Sequence, residues 1–366
     1  MRKKDIKLML IVLVLTFIGF FFIYDTTATR LMAKELSPYI FVQRQFIAFL
    51  IAIAFFLFFV TTPYRVWERL WRFIYGFNLL LLILVLFFGR ESLGAQRWFS
   101  IFGFSFQPSE LSKLLIVISL AGFLSELDYK RKKLGFKEFV FSIILILIPF
   151  LAVMVQPDLG TAIVIFVTGI FILFLSEISY KYLLRLILLG FLLLPFLWLI
   201  LKPYQQQRIL TFLDPMKDPL GSGYQVIQSI IAIGSGGIWG KGWFQGTQTH
   251  LNLIPEQHTD FIFSAVGEEF GFLGGAFIVL LYYLLFKYTW EIARSIKDKF
   301  GKYVIEGILF CWFFQTFVNL CMVMGIFPVV GIPLPFISFA RTSLIVNYAM
   351  LGLIINIYTR GERQVI

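Results

Sequence analysis

One apolar run after another, each long enough to cross a bilayer, leaves this chain few ways to fold. About 20 mainly apolar residues cross a hydrocarbon core of about 30 Å. Ten such runs centre on Leu8–Tyr24, Phe46–Val60, Phe73–Phe88, Leu111–Leu124, Val140–Val155, Leu159–Leu175, Tyr182–Leu201, Phe261–Phe286, Tyr303–Ile326 and Ile332–Tyr358. With 59% hydrophobic residues and a mean hydropathy of +0.85, the chain is far more apolar than a soluble domain. The expected fold is all-α: a polytopic integral membrane protein of about ten helices forming one domain over residues 1–366. No small-residue cleavage site follows the first run ahead of a soluble domain, so that run is expected to stay as a span.

The net charge of +11 would suit nucleic acid if it formed a patch, but the Lys and Arg residues lie mostly in short loops between spans. There they report topology. With the N-terminus cytoplasmic, the inner segments 1–7, 61–72, 125–139, 176–185, 287–302 and 359–366 hold 21 of the 32 basic residues. The outer segments hold ten, and Lys113 is left in the membrane. Both termini are therefore expected on the cytoplasmic side, and the polar 202–260 segment outside. Cys311 and Cys321, ten residues apart on one expected helix, are about 15 Å apart along its axis and cannot bond to each other. No metal-site spacing of Cys and His is present.

Ionisable residues within spans are expensive, which makes them candidates for function or for compensated pairs. Gln107-Pro108-Ser109-Glu110 opens the fourth span, and Lys113 follows Glu110 by three positions, on the same helical face. The pair can neutralise itself and can also lend its ammonium to an anionic headgroup. Gln156-Pro157-Asp158 makes a tight helical hairpin, with Asp158 placed to cap the next helix. The glycine-rich Ile233–Gly237 stretch follows no strand and lacks a Lys-Ser/Thr ending, so it is no nucleotide loop, although its amides could cradle a phosphate. Thr259 and Asp260 stand where a cap for the eighth span belongs. Glu256, His258, Arg208 and the helix-borne Glu268 and Glu269 collect near the same membrane face, and a cap needs none of them. Glu268 and Glu269 must be paired, protonated or face a cavity.

These motifs resemble the SEDS family (shape, elongation, division and sporulation) over nearly the whole chain. They are Gly94-Ala95-Gln96-Arg97-Trp98, QPSELSKL at 107–114, QPDLGTA at 156–162, RILTFLDP at 208–215, DPLGSGYQVIQS at 218–229, AIGSGG at 232–237, PEQHTDFIF at 255–263 and GEEFGFLG at 267–274. Gly-Lys-Gly and Gly-Thr-Gln within 240–248 favour the elongation branch. The sequence departs from the family after Gly-Ile-Pro-Leu-Pro-Phe at 331–336. Where the family carries Ser-Tyr-Gly-Gly-Ser/Thr-Ser, this chain reads Ser338-Phe339-Ala340-Arg341-Thr342-Ser343, so the turn must tolerate side chains. Arg341 adds a cation there that could pair with pyrophosphate or with the chain's own acids.

The resemblance implies a ten-span glycosyltransferase in the bacterial cytoplasmic membrane that polymerises lipid II into a growing glycan strand on the outer face. The implied partners are a class B penicillin-binding protein and other membrane proteins of the elongation complex. The family's essential acid maps to Asp260 and its intramembrane ion pair to Glu110 and Lys113. An α-linked pyrophosphate donor and a β-linked product require one inversion, hence a base rather than a covalent nucleophile. Asp260 is the candidate base, and Lys113, Arg208 and Arg97 are candidates for stabilising the departing pyrophosphate. Glu110, Gln156, Asp158, Glu256 and His258 complete the candidate substrate-contacting set. No metal ligand is assigned and no cofactor is required, although a divalent cation, Mg²⁺ or Mn²⁺, would suit pyrophosphate chemistry. The same polar interior would also suit a lipid II flippase, which the lack of an internal repeat argues against. The altered 338–343 element would suit a non-catalytic scaffold.

Overall fold

The computed structural model describes residues 3–92, 95–101, 104–130, 135–176, 178–200, 203–214 and 222–361. Its helices are α1 (Lys3–Met32), α2 (Ile40–Thr61), α3 (Tyr64–Arg69), α4 (Trp71–Phe88), α5 (Pro108–Tyr129), α6 (Phe136–Val155), α7 (Leu159–Leu175) and α8 (Tyr180–Ile200). They continue as α9 (Pro203–Leu213), α10 (Ser222–Ser235), α11 (Thr247–His250), α12 (Ile262–Ser295), α13 (Lys299–Val323) and α14 (Arg341–Gly361). Among the described residues seven of them, α1, α2, α4, α6, α12, α13 and α14, are long and apolar enough to span a membrane. Phe17, Phe46, Phe73, Phe87, Leu192 and Phe277 are among the large apolar side chains left exposed along the helices. Such a belt is tolerable only against lipid, and the chain is a multi-pass membrane protein.

The core is organised on α14, buried along nearly its whole length. It lies against α2 so closely that a Cβ on Gly352 would stand 2.6 Å from the Phe56 carbonyl oxygen. Four residues on, Asn356 donates to the carbonyls of Phe59 and Val60 at 2.7 and 2.8 Å, and its own oxygen accepts from the Tyr64 amide. One side chain thus satisfies the orphan groups at the end of α2. The interior is polar in places: Trp312 donates to Asn347 at 3.0 Å, and Tyr282 to the Pro335 carbonyl at 2.5 Å. Cys311 and Cys321 are free and buried.

Three departures from the sequence reading matter. The tenth run does not begin a helix at Ile332; α14 starts at Arg341, after an irregular 324–340 segment. Pro333 and Pro335 lack amide hydrogens and push the residues before them into extended backbone. Gly325, Gly331 and Phe336 also have positive φ. Between α4 and α5 the chain forms an antiparallel meander of β1 (Arg90–Ser92), β2 (Ala95–Ile101) and β3 (Phe104–Phe106), whose strands are too short or too irregular in alternation to stand out in sequence. The glycine stretch after α10 is no phosphate cradle, because its backbone is packed on α12. Cβ atoms on Gly236 and Gly240 would stand 1.9 and 2.0 Å from the carbonyl oxygens of Gly267 and Glu269.

That packing depends on a break in α12. Gly271, at φ 61° and ψ −156°, interrupts the helix in a region of backbone space that is essentially glycine-only. The break frees carbonyls that the loop then takes up. Lys241 and Gly242 donate their amides to the carbonyls of Glu268 and Glu269, and Phe272 and Leu273 donate to those of Gly237 and Ile238.

Candidate active site

Asp260 ends the loop that leads into α12, and it does not cap the helix. The cap position is held by Phe261, without a side-chain hydrogen bond. The backbone of Asp260 is fixed by α13, where the Asn319 amide donates to the carbonyls of Asp260 and of Ile332, both at 2.8 Å. The partly buried carboxylate lies beside Gly331, where a Cβ would stand 3.4 Å from Oδ2, and accepts no hydrogen bond among the described residues. Burial, with Glu256 and Asp158 adding to it and Arg208 and Arg97 opposing it, pushes its pKa up to about 6. A carboxylate placed this way is poised to accept a proton near neutral pH.

The surrounding groups come from four elements. Asp158 caps α7, accepting from the Thr161 amide at 3.3 Å, and it also accepts from Gln107 at 2.7 Å and Ser109 at 3.0 Å. Arg97 of β2 lies 4.0 Å from the same carboxylate, so the meander carries a cation to the edge of the site. Arg208 stands on α9, beside a small cavity lined by Thr211, Val226, Phe327 and Val329. Glu256, exposed and at φ 49°, approaches Arg30 at 3.9 Å, and its carbonyl accepts from the Thr259 hydroxyl at 2.8 Å.

His258 is buried between the rings of Phe41 and Phe339, at centroid distances of 4.7 and 5.3 Å. Burial holds its pKa down at about 4, with Arg30 lowering it further against the pull of Glu256. The ring is neutral at physiological pH. The Phe339 amide donates to the His258 carbonyl at 2.9 Å, which ties the altered 338–343 element to the Asp260 loop. Neither Ala340 nor Arg341 has positive φ, so this turn does not call for glycine. Arg341 lies over the Phe104 ring at 5.2 Å and forms no ion pair with an acid among the described residues.

Other residues of the expected set face inward. Glu110 and Lys113, 4% and 2% exposed, form an ion pair at 2.7 Å, and Lys113 also donates to Gln315 at 2.7 Å. Gln156, 1% exposed, donates to the Leu82 carbonyl and holds the α6–α7 turn against α4. Glu268 and Glu269 are paired rather than facing a cavity. Glu268 accepts from Lys241, Thr247, Gln248 and Thr249, and Glu269 from the amides of Phe244 and Gly246.

Sequence reasoning missed Gln315 and Asn319. They lie four apart on one face of α13, about 6 Å along the helix. Gln315 meets the buried ion pair and Asn319 holds Asp260, so α13 links the two. The available signal was a pair of amides at i, i+4 inside an apolar span.

Around this geometry the comparisons agree. The FtsW, RodA and SpoVE family of cell cycle proteins matches residues 6–363. Peptidoglycan glycosyltransferase MrdB of Escherichia coli strain K12 is 42% identical over 301 residues, 82% of this chain and 80% of that protein. Stage V sporulation protein E of Bacillus subtilis strain 168 is 37% identical and covers 97% of both chains. Among solved structures, a chain of a peptidoglycan synthase complex that coordinates polymerization and crosslinking superposes with a TM-score of 0.80 at 32% identity, over 97% of both chains. The rod shape determining protein RodA of Thermus thermophilus superposes with a TM-score of 0.72 at 27% identity, over 97% of this chain and 96% of that one. With a family match that runs almost from end to end and a fold shared over the same length, this chain belongs to the FtsW/RodA/SpoVE family.

Proposed function

We propose that this protein is a peptidoglycan glycosyltransferase that polymerises lipid II into glycan strands during cell elongation. It works on the outer face of the bacterial cytoplasmic membrane, with both termini inside. The observation that carries this reading is the Asp260 carboxylate, left out of the helix cap, raised in pKa and within the electrostatic influence of Arg208 and Arg97. Asp260 takes the proton from the acceptor 4-hydroxyl as that oxygen attacks the donor's anomeric carbon. The bond to the pyrophosphate oxygen breaks with one inversion, and Arg208 and Arg97 offset the charge that develops on the leaving group. His258, neutral and clamped by Phe41 and Phe339, shapes the loop. Asp158 holds Arg97 of β2 near it at 4.0 Å, and Glu256 ties the loop to Arg30 of α1 at 3.9 Å.

Lipid access is supported by an apolar groove of about 720 Å³ between α1 and α2, lined by Phe17, Phe20, Phe46 and Phe49 with Tyr39 and Gln43. It lies on the helix whose Phe41 packs on His258, which suits a polyprenyl tail with its headgroup toward Asp260. Glu110, Lys113 and Gln315 serve as a buried brace under the site. Mg²⁺ or Mn²⁺ would reach the site as counter-ion to the donor pyrophosphate, and no step above depends on it.

The synthase complex among the similar structures supports a crosslinking partner, and a class B penicillin-binding protein is the one proposed. The test is glycan synthesis from lipid II, resolved by gel, with the protein purified together with that partner. Wild type is expected to give long chains and Asp260→Asn none, with unchanged folding. Chains from the Asn variant would return Asp260 to a structural role, and lipid translocation without glycan would favour a flippase.

A further inference from the structure

Asp25 on α1, His250 on α11 and Glu269 on α12 form a cluster away from Asp260 that the proposed chemistry does not use. One ligand atom from each lies within 4.8 Å of the others. His250 Nε2 is 2.9 Å from Glu269 Oε1 and 3.8 Å from Asp25 Oδ1. Asp25 is 0% exposed, and neither of its carboxylate oxygens has a hydrogen-bond partner among the described residues. The far nitrogen of His250, Nδ1, also lacks one among them. The nearby cation, Lys241, is taken by Glu268 at 2.7 Å. Two carboxylates shut away from water beside one another must be neutralised, by a cation between them or by a proton.

We propose that Asp25, His250 and Glu269 bind a divalent transition-metal cation that staples α1 to the outer loop. One imidazole and two carboxylates make a borderline donor set that suits Zn²⁺, Mn²⁺ or Co²⁺ better than the all-oxygen shell Mg²⁺ prefers. Ligand atoms about 2.1 Å from a tetrahedral Zn²⁺ lie roughly 3.4 Å apart, between the two distances above. The site already has supports around its ligands. Glu269 is oriented by the amides of Phe244 and Gly246 at 3.1 and 3.3 Å. The Phe244 ring lies 4.3 Å from that of His250, limiting access of water.

The experiment uses the full chain in detergent, purified without a histidine tag, stripped with chelator and dialysed against Zn²⁺ or Co²⁺. About one equivalent of Zn²⁺ should remain, Co²⁺ should give visible d–d bands, and the loaded protein should melt at a higher temperature than the stripped one. Asp25→Asn and His250→Gln should each weaken uptake at least tenfold. Mg²⁺ in large excess should not displace the Co²⁺ bands. Wild type that takes up no stoichiometric metal and shows no bands would overturn the proposal and leave a shared proton between Asp25 and Glu269 instead. Uptake by Asp25→Asn equal to wild type would overturn it as well. None of these readouts depends on glycan synthesis, so the site and the proposed activity stand or fall separately.

Discussion

Asn319 binds two carbonyls at once, and one of them belongs to the residue proposed as the base. Asn319→Ala leaves the Asp260 and Ile332 carbonyls without their donor, at a cost of about 1–3 kcal/mol, read as a lower melting temperature. It should also slow polymerisation while a longer Gln at the same position restores part of the rate. Asp260 itself makes a pH prediction. A base must be deprotonated, and its pKa stands at about 6. The rate should therefore be flat above pH 7 and fall about tenfold per unit below pH 6, measured on initial rates of chain formation. A break near pH 4 would place the base elsewhere. Asp260 could be picked out in sequence by its company, but its escape from the cap could not. Either residue before the span could have capped it, and the local sequence does not show that the Asp260 backbone is held by Asn319, fifty-nine positions away.

Among the elements, α5 and α12 show opposite ways of admitting charge to a membrane interior. On α5, Glu110 and Lys113 satisfy each other three residues apart, and that spacing was plain from the sequence. Lys113→Ala leaves a buried carboxylate alone and should cost about 3–5 kcal/mol, whereas exchanging the two residues together should cost less. Thermal melting of the three proteins checks the structural pair, and equal losses of polymerisation rate in both variants would favour direct contact of Lys113 with substrate. On α12 the acids are met by loop amides across Gly271. Gly271→Ala would place a Cβ 2.4 Å from the Gly240 amide nitrogen in backbone geometry that costs about 1–3 kcal/mol by itself. A clear fall in melting temperature is expected. The local sequence does not single out that break, because Gly271 is one of four glycines between 267 and 275. The β meander was equally hidden: β1 and β3 have three residues each, and the seven residues of β2, AQRWFSI, do not alternate apolar with polar.

For the molecule as a whole, the membrane-spanning character was legible because lipid imposes one requirement on every segment that crosses it, and seven of the ten expected runs lie on helices long and apolar enough to cross among the described residues. The site was legible only in part, since it is assembled from β2, α7, α9 and the Asp260 loop, which lie far apart in the chain. The charge asymmetry makes a testable statement about orientation. In a background lacking Cys311 and Cys321, a cysteine at Gln245 or Glu256 should react in intact cells with a membrane-impermeant thiol reagent. One at Lys130 or Lys299 should react only after lysis. The opposite pattern would invert the topology and place the proposed base away from its substrate.

The interrupted α12 also bears on how such proteins diversify. Since the strip from Gly236 to His250 is sewn to carbonyls and carboxylates of residues 267–273, neither piece is a free cassette. A chimera that imports the outer strip from a relative should misassemble unless the matching half-turns of the membrane helix travel with it, so the two are expected to be inherited together.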